Sequence, residues 1–257
     1  MKIQLLPSTI ENGIVVNRQH LACFVLDGKI AIDAGSLSVA GSEEIRSKVR
    51  DVVLTHAHLD HIAGLPLFID DLFPSLSSPV RVHATAEVLD VLREHVFNWK
   101  VFPDFSEIQN EFGPVLEYRE VEVFREFAVG EFQFTAIPVN HKVPSYGYLV
   151  RKEGVAFAIS GDTAETDDFW THLNGVSNLR AVLIECAFPD EMSHLAEVSH
   201  HLTPKRLNDE LAKLLNEDCS IYIVNIKPFY RETTIGEIRR LRIPNLRIFD
   251  SGETIEV

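Results

Sequence analysis

Cysteine is scarce in this chain: its 257 residues include three, Cys23, Cys186 and Cys219. An odd number of widely spaced cysteines excludes the paired disulfide framework of a small secreted protein and favours a reducing compartment. Apolar runs are short as well. None approaches the roughly 20 residues of a membrane span, and the run at the N-terminus is too short for the core of a signal peptide. We therefore predict a cytoplasmic protein that does not contact a membrane.

Positive charge is the second shortage. The chain has 24 lysines and arginines against 38 aspartates and glutamates, which gives a formal net charge of −14. Because polymeric nucleic acid is bound mainly by basic side chains, this balance disfavours a nucleic-acid polymer and favours a small anionic substrate. Linkers rich in Gly, Ser or Pro, low-complexity segments and short repeats are also missing, so residues 1–257 are predicted to form one domain.

Directly after residues 51–54, the chain contains a cluster of side chains that can bind a metal ion. His56, His58, Asp60 and His61 fall within six positions, where a buried strand is predicted to run out into a loop. Neutral imidazoles and carboxylates are the ligands that Zn²⁺ and Mn²⁺ accept. In a compact turn the first two can converge on one ion while the other two lean toward a second. We predict a metal site here rather than a solvated, histidine-rich turn.

Two later strand ends can add ligands to such a site. The apolar run at residues 134–139 leads to His141, and the run at residues 155–159 leads to Gly161 and Asp162. A carboxylate at a strand end can bridge two cations about 3.5–4 Å apart. Taken singly, the Gly-Asp pair also fits an ordinary turn, and the lone His fits a polar strand end. Their order after the first motif makes them candidate ligands.

This ordered set of residues resembles the metallo-β-lactamase superfamily. The resemblance implies an α/β fold, a four-layer αββα sandwich, with two divalent metal ions at one edge between the sheets. The ions would be zinc, with manganese or iron as alternatives. The implied ligands are His56, His58 and His141 for one ion, Asp60 and His61 for the other, and Asp162 for both. The strand that ends at Asp33 fits as well, since an Asp-x-Gly strand end braces the metal loop in this superfamily.

Further segments are similar to the class II 3′,5′-cyclic-nucleotide phosphodiesterases. They are Leu59 and residues 62–65, 92–99, 102–105, 201–204 and 226–228. The similarity implies a phosphodiesterase that opens cAMP or cGMP by attack of a metal-bridged hydroxide on phosphorus. Residues 66–71 depart from the pattern of this group. So does Asn225, which stands where the resemblance places a metal-binding His, because a carboxamide oxygen suits harder ions and is a poor zinc ligand.

A candidate for proton transfer lies at the end of the apolar run 181–184. Glu185 in its sequence context is similar to a Glu of the tRNA 3′-processing endonucleases that pairs with a later His, which would here be His201. Such a pair can protonate a departing alkoxide, so Glu185 and His201 are predicted catalytic residues. Asp60 of the histidine motif is the third predicted catalytic residue. Alternatively, Glu185 is a surface ion pair and His201 a residue beside a helix start. His200 could take the same role, and either His could reach a metal in place of Asn225.

Three other functions remain open. One is a different hydrolase of the same fold, acting on an RNA 3′ end, a lactone or a thioester. Another is a di-iron oxidoreductase, against which His58 and His61 argue, because the iron-binding relatives carry Glu in place of the second motif His. A third is a non-catalytic nucleotide-binding relative whose second metal site is degraded through Asn225. A homodimer is also open, since a dimer surface leaves no reliable mark in one sequence.

Overall fold

Two compact units make up the chain, whose computed structural model describes residues 1–257. The first unit comprises residues 1–17, 21–122 and 251–256, and the second comprises residues 18–20, 123–250 and 257. Each unit contains one seven-stranded sheet. The prediction that residues 1–257 form one domain stays a prediction.

The chain has 18 strands and nine α-helices. The strands are β1 (Lys2–Leu5), β2 (Ile10–Glu11), β3 (Ile14–Val15), β4 (Phe24–Leu26), β5 (Ile30–Ile32), β6 (Asp51–Val53), β7 (Val80–Ala84), β8 (Gln109–Asn110), β9 (Gly113–Pro114), β10 (Leu116–Glu120), β11 (Glu126–Val129), β12 (Phe132–Pro138), β13 (Tyr146–Lys152), β14 (Val155–Ile159), β15 (Leu179–Glu185), β16 (Ser220–Val224), β17 (Leu246–Ile248) and β18 (Thr254–Glu256). The helices are α1 (Leu37–Ala40), α2 (Glu43–Lys48), α3 (Leu59–Ile62), α4 (Gly64–Leu72), α5 (Ala86–Val91), α6 (Asp168–Asn174), α7 (Ser193–Ser199), α8 (Pro204–Leu211) and α9 (Arg231–Leu241).

Shorter helical turns complete the secondary structure. Three are 3₁₀ turns at Phe73–Ser75, Asp190–Met192 and Pro228–Tyr230, and one is a π-helical turn at Leu92–Val96 that continues α5. No helix has both the length and the apolar character that a membrane crossing requires.

The sheet of the first unit has the strand order β10-β7-β6-β5-β4-β1-β18. Strands β10, β7, β6 and β5 are parallel to one another, whereas β4, β1 and β18 pair antiparallel. All side chains of β4 and β5 are buried, as expected for short apolar runs in the middle of a sheet. Because β5 and β6 are parallel neighbours, their carboxyl ends lie at the same edge. The residues that follow Ile32 and Val53 are therefore brought together.

The sheet of the second unit follows chain order from β11 to β17. Its first four strands form an antiparallel meander, and β14 to β17 are parallel. The core of this unit joins the sheet to α6, α8 and α9 through apolar residues such as Trp170, Leu207 and Ile235. Because β14, β15 and β16 are parallel, the polar residues at or after their carboxyl ends lie at one edge.

Asp51 opens β6 and forms a cross-strand ion pair within the first unit. Its carboxylate accepts two hydrogen bonds from Arg81, the residue opposite it on β7, and one from His83 Nε2 at 2.9 Å. Partial burial raises the pKa of Asp51, but the bonds from His83 and Arg81 outweigh this effect and lower the pKa to about 2. The folded state therefore favours the ionised carboxylate more than the unfolded state does.

Replacing Asp51 with Asn should therefore destabilise the protein in a pH-dependent way. The ion pair stabilises fully above the ordinary carboxyl pKa of 3.8 and loses its contribution as the pH falls toward about 2. After allowance for solvent screening, we expect a loss of about 1–2 kcal/mol at pH 7 and about half of that at pH 3. Urea unfolding of both proteins at the two pH values measures it, with Asp209→Asn on the exposed face of α8 as the control. Equal differences at both pH values would contradict the lowered pKa.

Candidate metal centre

The histidine motif of the first unit is braced by Asp33, which follows β5 and is 1% exposed. Its carboxylate accepts hydrogen bonds from the backbone N–H of Thr55 at 2.9 Å and from His61 Nδ1 at 2.6 Å. The Thr55 hydroxyl donates to the same carboxylate at 2.9 Å and accepts a hydrogen bond from His56 Nδ1 at 3.0 Å. The bracing role that the resemblance implied for Asp33 is confirmed.

These hydrogen bonds fix the tautomers of His56 and His61. Each ring commits its Nδ1–H to a neighbour and so carries its lone pair on Nε2, the form in which imidazole ligates a cation. The ring centroids of His56 and His58 are 4.7 Å apart, and those of His56 and His61 are 4.1 Å apart. A carboxylate oxygen of Asp60 lies 4.0 Å from His61 Nε2. The four motif residues therefore form one cluster of candidate ligands in the first unit.

The backbone of the motif differs from the predicted loop. His56 and His58 do lie in a loop, but Asp60 and His61 belong to the helical turn α3, which begins directly after His58. Adjacent residues of a helix point about 100° apart, and accordingly His61 is 2% exposed whereas the Asp60 side chain is 30% exposed. The expectation of a loop through residues 59–61 is wrong.

Gly35 allows this turn to sit close to the strand end that carries Asp33. A Cβ added to Gly35 would lie 1.9 Å from the carbonyl oxygen of Asp60, so no side chain fits at position 35. Two backbone hydrogen bonds hold the turn in place, from Ala22 N–H to Asp60 C=O at 2.8 Å and from Ala34 N–H to His61 C=O at 2.7 Å. The turn is held by tertiary contacts rather than by its own helical propensity.

A second cluster lies in the second unit. Ligand atoms of His141, Asp162 and His201 are all within 4.8 Å of one another. His141 follows β12, and its Nδ1–H donates to the backbone carbonyl of His200 at 2.9 Å. Like the two histidines above, His141 therefore carries its lone pair on Nε2. Asp162 follows β14 and is 2% exposed. Both sequence-predicted ligands of this unit, together with His201, form one candidate ligand set.

Glu185 ends β15 as a fully buried carboxylate, so the alternative of a surface ion pair is wrong. One of its oxygens accepts hydrogen bonds from Thr163 N–H at 2.8 Å and from His201 Nδ1 at 2.6 Å. The other accepts from the backbone N–H groups of Ala187 at 3.0 Å and Leu202 at 3.4 Å. The paired arrangement of Glu185 and His201 follows the prediction.

The same contacts locate the proton of this pair. Burial raises the pKa of Glu185, against the attraction of His201. Burial alone would lower the pKa of His201, but the charge of Glu185 and the hydrogen bond to it outweigh burial, and the pKa of His201 is raised. The Glu185 carboxylate already accepts three backbone N–H bonds. These three donors stabilise the carboxylate form of Glu185, so the proton between the two residues belongs on His201 Nδ1.

Asn225 and His200 both contact residues of the second cluster. His200 bonds its ring Nδ1 to the Asn140 side chain at 2.8 Å, so its backbone carbonyl rather than its ring contacts His141. Asn225 follows β16, is 7% exposed, and donates its amide Nδ2–H to Asp162 Oδ1 at 2.5 Å. Its backbone N–H donates to the side-chain oxygen of Gln19 at 3.0 Å. Sequence reasoning missed Gln19, for which no motif or periodicity gives a signal.

A family model described as "Beta-lactamase superfamily domain" matches residues 30–218, well over half of the chain. The chain belongs to the beta-lactamase superfamily. The match includes His56, His141 and Asp162, so the clusters described above lie within the superfamily domain. With two large sheets of mixed direction and nine helices, the predicted α/β class and metallo-β-lactamase fold are confirmed.

Curated members of the superfamily with similar sequences include cyclic-nucleotide phosphodiesterases. A Yersinia pestis protein named "Probable 3′,5′-cyclic-nucleotide phosphodiesterase" is 27% identical over 227 residues, which cover 79% of this chain and 63% of that protein. The 3′,5′-cyclic-nucleotide phosphodiesterase of Aliivibrio fischeri is 24% identical over 82% of this chain and 66% of its own length. Ribonuclease J of Thermus thermophilus is 29% identical over 62% of this chain and 27% of its own length. The chain thus spans less than two thirds of each of these relatives.

Solved structures of the superfamily agree on the fold. Unliganded yeast PDE1 superposes with a TM-score of 0.78 at 18% sequence identity, covering 100% of this chain and 99% of that one. Zn²⁺-bound PqqB from Methylobacterium extorquens gives a TM-score of 0.68 at 15% identity, with both chains covered completely. The resemblance to the superfamily and its cyclic-nucleotide phosphodiesterases is confirmed.

Proposed function

We propose that this protein is a metal-dependent phosphodiesterase that hydrolyses 3′,5′-cyclic nucleotides, cAMP or cGMP. The observation that carries the proposal is a hydrogen-bonding arrangement that three histidines of the candidate site share. His56, His61 and His141 each commit Nδ1 to a fixed neighbour and present Nε2, as metal-ligating histidines do. The superfamily membership and the names of the relatives in Yersinia pestis and Aliivibrio fischeri supply the class of substrate.

The chemistry of this donor set fits borderline divalent cations, because it combines neutral imidazoles with carboxylates. The proposed ligands are those of the sequence assignment: His56, His58 and His141 for one ion, Asp60 and His61 for the other, and Asp162 for both. Zinc is the proposed metal, as in the Zn²⁺-bound relative, with manganese or iron as alternatives. When bound, the cations would lower the pKa of the attacking water and offset the charge that builds on the phosphoryl oxygens.

His201 is the proposed general acid. Glu185 holds its Nδ1–H at 2.6 Å, which orients the ring and directs the proton on Nε2 outward. Burial lowers the pKa of His201, but the charge of Glu185 and the hydrogen bond to it raise the pKa overall, which favours the protonated ring that a general acid needs. In this role Nε2 protonates the 3′ oxygen as it leaves phosphorus, so that no free alkoxide forms. His201 as a metal ligand in place of a His at position 225 is the alternative.

The proposal is tested by measuring hydrolysis of cAMP and cGMP, using protein whose metal content has been determined. Zn²⁺ and Mn²⁺ are supplied in separate assays. We expect turnover that is lost on chelation and restored by adding the metal back. His201→Ala should lower kcat by about 10²- to 10⁴-fold with its metal content unchanged, whereas the matched control His194→Ala, at an exposed position of α7, should not. No turnover with both metals bound would reject cyclic nucleotides as substrates. Loss of a metal ion in His201→Ala would identify His201 as a ligand instead.

An RNA 3′-end nuclease is the second candidate function. The buried Glu185–His201 pair matches the pair expected in the tRNA 3′-processing endonucleases, and Ribonuclease J is among the similar proteins. The net charge of −14 argues against it, because an RNA polymer needs basic contacts along its backbone. Parallel rates on a short RNA, a lactone and a thioester separate these activities, and tight nucleotide binding without turnover would indicate a non-catalytic relative. The cytoplasmic location and the homodimer stay predictions.

A further inference from the structure

Asn225 occupies the strand end where the resemblance places a metal-binding His. It directly follows β16, whose last residue Val224 is paired with Glu185 of β15. Its backbone has φ 55°, a left-handed conformation that Asn adopts more readily than most residues. The side chain is 7% exposed. Position 225 is therefore a fixed, buried point at the edge of the second sheet that also carries Asp162.

The side chain of Asn225 is committed to Asp162 as a hydrogen-bond donor. Its Nδ2–H donates to Asp162 Oδ1 at 2.5 Å, and an N–H bond to an ionised carboxylate is stronger than one to a neutral acceptor. Gln19 fixes the other end of the residue, because its side-chain oxygen accepts the Asn225 backbone N–H at 3.0 Å. Gln19 is itself 8% exposed. Asn225 is thus held at two points, through its backbone N–H by Gln19 and through its side-chain amide by Asp162.

A donor at this position has the opposite effect on Asp162 from that of a ligand. The N–H of Asn225 takes up one lone pair of Asp162 Oδ1, which leaves fewer lone pairs of this carboxylate for two cations. A His at 225 would add a lone pair for a cation, whereas the amide oxygen of Asn is a hard ligand with little affinity for zinc. Of the two proposed cation positions, one therefore has a complete set of imidazole and carboxylate ligands, and the other does not.

We propose that Asn225, by donating its amide to Asp162, weakens one cation position, so that the protein binds one Zn²⁺ tightly and a second divalent cation only weakly. The inference rests on the metal centre of the proposed function. Asn225 is then a positioning residue for Asp162. The fraction of protein with the second cation site filled depends on the free concentration of the divalent cation. A hard cation such as Mn²⁺ is the preferred occupant of that position.

Metal stoichiometry at buffered free Zn²⁺ concentrations tests this inference without reference to activity. In the natural protein we expect one tightly bound Zn²⁺ and a second that binds at least about 100-fold more weakly. N225H should bring the second affinity to within about tenfold of the first. N225A removes the donor without adding a ligand, so under this inference its second affinity should fall between those of the natural protein and N225H. Asn208→His, at an exposed position of α8, is the matched control and should behave as the natural protein does.

Two equal, tight Zn²⁺ sites in the natural protein would overturn the inference. Weaker binding of the second ion by N225A than by the natural protein would also overturn it, because the contact from Asn225 would then support the metal site rather than weaken it. If N225H does not fold, the comparison of the natural protein with N225A still decides. Failure of the proposed function has a different signature, which is no cyclic-nucleotide turnover in either the natural protein or N225H when both are loaded with two ions.

Discussion

Asp162→Ala is expected to lower kcat/KM for cyclic-nucleotide hydrolysis by at least about 10³-fold. Asp162 is the one residue assigned to both cations, and its carboxylate is buried at the end of β14. Under that assignment, its loss would remove negative charge from both proposed cation positions at once. Two-metal sites supply several kcal/mol of transition-state stabilisation, and each 1.36 kcal/mol is a factor of ten in rate, which gives the expected magnitude.

Initial rates across a range of substrate concentrations measure this effect on protein whose metal content has been determined. We expect Asp162→Ala to retain fewer ions than the natural protein at the same free Zn²⁺. Asp209→Ala, at an exposed position of α8, is the control for the loss of one carboxylate. A variant that kept its metal ions and lost less than about tenfold in kcat/KM would remove Asp162 from the centre of the assignment.

Glu185→Ala is expected to affect both stability and turnover. Removing the carboxylate leaves three buried backbone N–H groups, of Thr163, Ala187 and Leu202, without their acceptor and leaves His201 without its counter-ion. Removing one partner of a buried ion pair costs about 3–5 kcal/mol. The free energy of unfolding, from urea titration, should fall by that amount. The kcat should fall as far as it does in His201→Ala, because an unheld imidazole no longer presents its proton.

The double variant Glu185→Ala/His201→Ala separates the two effects. If Glu185 acts through His201, the double variant should lose no more in kcat than His201→Ala alone, since residues that act as a unit are not additive. Additive losses in kcat would show that Glu185 contributes to turnover independently of His201.

The strand ends were predictable from sequence because short apolar runs fix where each strand stops. Asp33, His141, Asp162 and Glu185 all lie at or just after the end of such a run, and the structure places each of them at the last residue of a strand or within three residues after it. The alternation from apolar to polar marks the boundary directly. The local signal was therefore sufficient to locate the strand ends of both sheets that carry the candidate ligands.

The helical turn α3 was not predictable in the same way. Four residues are too few to show a helical period, and an isolated turn is not stable in water. Its position depends on backbone bonds to Ala22 and Ala34, and on the missing side chain of Gly35. These contacts join segments that are distant in sequence. Pattern reasoning over a short window cannot find them.

The contacts of Asn225 mark a second limit. The sequence identified Asn225 as a departure from the expected His, but its role as a donor to Asp162 depends on the geometry of two strand ends. Gln19 supports it across a separation of 206 residues. The complete burial of Glu185 was likewise hidden, since its three backbone donors come from separate loops. Residue types were readable from the sequence, whereas the direction of each hydrogen bond was not.

The pairing of β1 with β18 joins two strands that are made at very different times during synthesis of the chain. Lys2 and Ile3 lie opposite Glu256 and Ile255, so one edge of the first sheet is closed by residues from the far end of the sequence. A ribosome releases β1 long before it releases Thr254–Glu256. Until then the outer edge of β1 presents unpaired backbone groups, which are a template for joining another chain. Nascent chains are therefore exposed to association through this edge throughout synthesis, and a chain interrupted before residue 254 would keep it open.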